Sequence, residues 1–176
     1  MSDSAACVRR FVRENRVLLT LLAAGLLLRL AVALPGLCGD AETCFSRPDT
    51  PGYLGPARAL AAEGSYLDCP GGEPNCGRAP GFPFFASLVF RLFGPENAAA
   101  LAVTLLLAGA LIPLAVYWAG TVWFDRRTAL WGCGFTVLNL TMIAQAPMLL
   151  SDTLFGLVAA LMFGCFGKFH RKSDPR

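Results

Sequence analysis

The chain has a single histidine, His170, and it stands in a basic stretch near the C-terminus. No Ser/His/Asp set is therefore available for nucleophilic hydrolysis, and no glycine-rich phosphate loop occurs. Dense clusters of metal-ligating residues are missing as well. Charge is scarce: only 15% of residues are Asp, Glu, Lys or Arg, against about a quarter in an ordinary soluble domain. A net charge of +3 is too small for a nucleic-acid-binding surface.

What fills the chain instead is apolar sequence, at 55% of residues. It is concentrated in four runs, 17–35, 97–124, 129–147 and 149–169, each near the ~20 residues a bilayer-crossing helix needs. Backbone groups in lipid must be satisfied within the segment, so the expected fold is an all-α membrane protein with about four transmembrane helices. A buried soluble core would need far more polar chain to cover these runs. The first run exceeds the ~7–15 residues of a secretory signal core, and Arg29 lies inside it. Despite a small-residue stretch at Ala31-Val32-Ala33, it reads as a retained anchor. Arg29 itself reads as a snorkelling residue in preference to a phosphate contact. Pro35-Gly36 should stop this first helix, and Pro113 should kink the second.

Arginine and lysine set the expected topology. Arg9, Arg10, Arg13 and Arg16 precede the first run, Arg126 and Arg127 separate the second from the third, and Lys168, Arg171 and Lys172 follow the fourth. The segment 36–96 carries Asp40, Glu42, Asp49, Glu63, Asp68 and Glu73 against fewer basic residues. The positive-inside rule then puts the tails 1–16 and 170–176 in the cytoplasm and 36–96 outside the plasma (inner) membrane. Within that outer loop, 53–63 has helical spacing and 82–93 is apolar but short. Both read as interfacial helices, because neither reaches the length of a span. Tyr117, Trp118, Trp123 and Trp131 form an expected aromatic belt at the inner boundary. Cys38, Cys44, Cys69 and Cys76 all lie in the loop, and an oxidising compartment would permit the pairs Cys38–Cys44 and Cys69–Cys76. Their spacings are wider than those of common zinc ligands. Asn139-Leu140-Thr141 matches the glycosylation pattern but falls within an apolar run, which excludes it as an acceptor.

Three loop residues carry possible chemistry. Asp49, just before a short helix, is either its N-cap or a partly desolvated general base. Asp152, opening the fourth run after Ser151, is either a cap or a second carboxylate that holds a divalent metal or orients an acceptor. Arg78 has the planar fork suited to a phosphate, whether from a lipid headgroup or a leaving group.

In their order along the chain, these features resemble the N-terminal part of the GT-C glycosyltransferases, in particular the bacterial protein-mannosyltransferase and aminoarabinose-transferase type of glycosyltransferase family 39. The resemblance spans residues 17–169. Its motifs are Asp49, Tyr53, Ala57, Arg58 and Leu60 after the first span, then Arg78-Ala79-Pro80-Gly81 leading to Leu92-Phe93-Gly94. Pro147 and Ser151-Asp152-Thr153 complete the set. The resemblance implies transfer of a sugar from a polyprenyl-phosphate donor at the outer membrane face. Asp49 would be the catalytic carboxylate and Asp152 the second acidic site, while Arg78, Tyr53 and Arg58 would contact the lipid-linked phosphate. It also implies membrane lipid as a partner and a divalent metal as a possible cofactor. Many relatives carry two neighbouring acids where this chain has Asp49-Thr50, and they continue through further spans. A truncated module, or a second polypeptide supplying those spans, is the corresponding expectation. The competing reading is a small non-catalytic membrane subunit whose loop docks a partner.

Overall fold

The computed structural model describes residues 2–173, with side chains at residue 10 and from residue 12 to residue 172. Every named element among them is a helix: α1 Ser2–Cys38, α2 Ala41–Phe45, α3 Pro51–Glu63, α4 Gly81–Phe93, α5 Ala98–Trp123, α6 Arg126–Leu138, α7 Leu140–Gln145 and α8 Asp152–Ser173. Three of these contain segments long and apolar enough to cross a membrane: Val12–Cys38, Ala98–Trp123 and Asp152–Lys172.

The expected third span, 129–147, is not one helix. Asn139 leaves the helical region at φ −69°, ψ 106°, ending α6 and capping α7 by accepting a hydrogen bond from the Met142 N–H at 3.0 Å. Asparagine competes for backbone partners in this way, which makes it a poor helix-interior residue and a good cap. Of the basic stretch 1–16, residues 2–16 are helical and continuous with the rest of α1. At the far end α1 continues past Pro35 to Cys38. A proline there costs one hydrogen bond in a last turn that is already ending. Helix α5 also continues through Pro113. Of the expected tail 170–176, residues 170–173 belong to α8 and the remainder lie outside the described residues.

Helix α5 is the hub, packed against α1, α4, α6 and α8. Without a hydrophobic driving force between helices in lipid, close approach through small residues replaces it. A Cβ on Gly120 would come 2.9 Å from Ala129, and one on Gly164 would strike the Trp118 ring. Trp123 stacks on Phe163 at 5.2 Å between centroids, and Trp118 receives Lys168 at 5.2 Å from its ring centre. These two tryptophans thus join α5 to α8, while Trp131 is exposed as a belt residue would be.

Arg29 does not snorkel. Its side chain is fully buried, and its Nη1 donates back to the Gly25 carbonyl at 3.0 Å, one turn earlier. Helical side chains tilt toward the N-terminus, and Gly25 leaves the room this needs. Nε and Nη2 have no hydrogen-bond partner.

At the loop end, α3 and α4 pack on each other and α4 on α5. Leu54, Phe82, Phe90, Leu101, Leu105 and Leu149 form the core there. The opposite face of α4 exposes Phe84, Leu88 and Leu92, spaced one turn apart. With 13 residues, about 20 Å of helix, α4 is too short to cross a bilayer.

Candidate functional site

The loop end gathers residues from three distant parts of the sequence. Helix α3 begins at Pro51, with Thr50 at the N-cap position, and Thr50 makes no side-chain capping bond. Its hydroxyl accepts from the Arg47 N–H at 2.8 Å and donates to the Leu149 carbonyl at 3.3 Å. The Leu149 N–H in turn donates to the Phe45 carbonyl at 3.2 Å. This clasp holds the 45–50 segment against the turn that leads into α8.

Because Thr50 occupies the cap position, Asp49 is not the cap of α3. It is an exposed carboxylate in direct hydrogen-bonded contact with Arg78 Nη2. The Arg78 guanidinium also lies over the Tyr53 ring, 5.0 Å from its centroid. The bond to Asp49 and the charge of that carboxylate push the Arg78 pKa above its already high ordinary value, so this cation keeps its proton at any relevant pH. Tyr53 meets Phe82 edge-on at 5.3 Å, and its hydroxyl is 3.5 Å from Ser151 Oγ. Ser151 is therefore turned toward Tyr53, and Asp152 follows it as the first, exposed residue of α8.

A compact excursion, residues 64–80, aims Arg78. The Asp68 N–H donates to the Glu73 carbonyl at 2.8 Å and the Asn75 N–H to the Tyr66 carbonyl at 3.1 Å. The Gly71 N–H is fastened to Glu63 at 2.8 Å. At the exit, Asn75 Oδ1 accepts from the Arg78 N–H at 3.1 Å, while the Tyr66 hydroxyl donates to the Arg78 carbonyl at 2.8 Å. Burial, helped by the nearby Asp68 charge, pushes the Tyr66 phenol pKa up. The phenol therefore remains a donor. The excursion leans on α3 at Gly55, where a Cβ would collide with the Asp68 carbonyl oxygen.

The site residues expected from the sequence thus divide. Asp49, Tyr53 and Arg78 are brought together, with Ser151 at their edge; Asp152 follows Ser151 and has no contact with them. Ser151 was not anticipated as a contact. Nothing local marks it, since its neighbour Tyr53 is 98 positions away. Arg58 belongs elsewhere. Its Nη2 pairs with Glu42 at 2.8 Å and with Glu96 at 3.3 Å, and its Nε donates to the Pro95 carbonyl at 3.2 Å. It braces α2 and the α4–α5 turn against α3.

No group of three His, Cys, Asp or Glu residues able to hold an ion occurs among the described residues, Asp152 included. Asp49, the other carboxylate of the site, is matched by a cation. The expected disulfides are not formed either: Cys38, Cys44, Cys69 and Cys76 are exposed free thiols. Cys69 is folded into its own turn against Gly72, and Asp68–Glu73 and Asn75–Tyr66 backbone bonds close the excursion without a covalent bridge.

No protein-family model matches the chain, and no curated protein or solved structure matches it.

Proposed function

We propose that this chain is a membrane glycosyltransferase module, transferring a sugar from a polyprenyl-phosphate donor to an acceptor at the loop end of its helix bundle. The observation that carries the reading is the contact of Asp49 with Arg78 beside Tyr53 and Ser151. This puts a proton acceptor and a phosphate-binding fork side by side, next to an apolar bundle fit to hold an isoprenoid chain.

Before substrate arrives, the two ions neutralise each other. A donor phosphate offers Arg78 two oxygens in place of one and draws the guanidinium from Asp49. The freed carboxylate then accepts the proton of the acceptor's nucleophilic group as that group attacks the anomeric carbon. The bond from anomeric carbon to phosphate oxygen breaks, and polyprenyl phosphate leaves with the bonding electrons. Arg78 meets the charge that develops on it. Ser151, beside Tyr53, would orient the acceptor or the sugar hydroxyls, with Asp152 next to it in sequence. In this reading the loop end faces outward and the arginine-rich ends face the cytoplasm. Helices α6 and α7 together form a fourth, broken crossing, of the kind membrane proteins place beside substrate sites.

The test is transfer of labelled sugar from a polyprenyl-phosphate donor in the native membrane assembly. Asp49→Asn should lower the rate by about 10²–10⁴-fold while leaving the folded protein in place. Arg78→Lys should chiefly raise KM for the donor. Undiminished transfer by Asp49→Asn would refute the assignment and leave the loop a docking element.

A further inference from the structure

At the end of the bundle opposite Asp49, α1 and α6 diverge and leave a groove of about 440 Å³. Val17 and Leu21 of α1 form one wall; Leu130, Trp131, Phe135 and Leu138 of α6 form the other. The floor is open at Gly134, where an added Cβ would meet nothing within 4 Å. Arg127 lies at the groove's mouth. A second hollow, of about 320 Å³, continues from Val17 and Leu21 to Arg16.

The two cations are free to bind. Neither the Arg16 nor the Arg127 side chain has an ion-pair partner among the described residues, whereas Glu14 nearby is taken by Arg10 at 2.8 Å. Arg126 donates to the Glu14 carbonyl and so fastens the start of α6 to α1, which fixes the mouth. Among the described side chains at this end, the other acid, Asp125, is occupied in capping α6, where it accepts from the Thr128 N–H at 3.2 Å. Two other grooves, of about 500 Å³ between α1 and α5 and about 420 Å³ between α5 and α8, are lined by no charged residue. An apolar slot ending in unpaired guanidinium groups has the chemistry of one kind of membrane component: acyl chain below, phosphate above.

We infer that the α1–α6 groove is a binding site for an anionic phospholipid, its acyl chain lying along Gly134 and its headgroup phosphate held by Arg16 and Arg127. This site is separate from the Asp49 site and does not rest on the transferase reading.

Native mass spectrometry of the detergent-purified full chain with added phosphatidylglycerol or phosphatidylcholine tests it. Phosphatidylglycerol should be retained preferentially, and Arg16→Gln and Arg127→Gln should each weaken its retention by roughly fivefold. Gly134→Phe, whose Cβ has open space around it and whose ring would occupy the groove, should weaken retention while both arginines remain. Equal retention of the two lipids by the native chain would overturn the inference. So would unchanged phosphatidylglycerol retention in the arginine variants and in Gly134→Phe.

Discussion

Thr50 donates its hydroxyl proton to the carbonyl of Leu149, 99 positions along the chain, and both residues are buried. The bond closes the loop end: it ties the segment that bears Asp49 to the turn that presents Ser151 and Asp152.

Thr50→Val keeps the shape and removes the hydroxyl. The Leu149 carbonyl and the Arg47 N–H then lose their partner, at a cost of about 1–3 kcal/mol for a buried polar group left unmatched. A lower thermal midpoint in detergent should result, with Ser151 and Tyr53 no longer held in register. An unchanged midpoint would show that the clasp contributes little.

Gly55→Ala should be more disruptive than a methyl group usually is. The new Cβ would sit on the Asp68 carbonyl oxygen, a backbone atom within a closed excursion. Either α3 or the excursion must shift, at about 1–3 kcal/mol. Because the excursion aims Arg78, thiol labelling of Cys69 and Cys76 should change along with stability.

Arg29→Met should stabilise the bundle. The substitution removes two buried nitrogens that have no partner and keeps most of the side chain's bulk. Replacing buried charged groups with apolar side chains of similar volume is often neutral or stabilising, by up to about 4 kcal/mol. Thermal unfolding of the variant in detergent or in vesicles measures this, and a destabilised variant would mean that Arg29 has a counter-charge in the assembled protein.

Asp40→Asn separates capping from charge. The Thr43 hydroxyl, with the N–H groups of Thr43 and Glu42, holds the Asp40 carboxyl below the ordinary carboxylate range. A depressed folded-state pKa stabilises the fold above the unfolded value, and this contribution disappears as the pH falls through the folded one. In the wild type the thermal midpoint should therefore decline slightly more steeply with acidification below about pH 4 than in Asp40→Asn, which caps without titrating. Superimposable pH profiles would exclude the effect.

Length and the absence of charge are properties a sequence displays directly, and so the helices containing Val12–Cys38, Ala98–Trp123 and Asp152–Lys172 were legible. So were the short helices at Pro51–Glu63, from the helical spacing of its apolar residues, and Gly81–Phe93, from a short apolar run. The break at Asn139 was not, because one polar residue in an apolar run is usually tolerated. Its signal was the asparagine set three residues before Met142, whose N–H it takes. In the candidate site, Asp49 and Arg78 were identifiable as residue types but their contact was not, since it depends on how the excursion folds back. Arg58 misled for a related reason. The acids that claim it, Glu42 and Glu96, lie 16 and 38 positions away on either side, and only the packed fold shows that they reach it.

Helices α6 and α7 have 13 and 6 residues, and neither has the reach of a membrane span. Helix α6 packs on α5 and α1, and α7 on α1, α6 and α8, so these pieces are held by their neighbours rather than by their own length. A lesion that loosens α1 should therefore appear first as failed packing of this region, before any chemistry at the distant loop is affected.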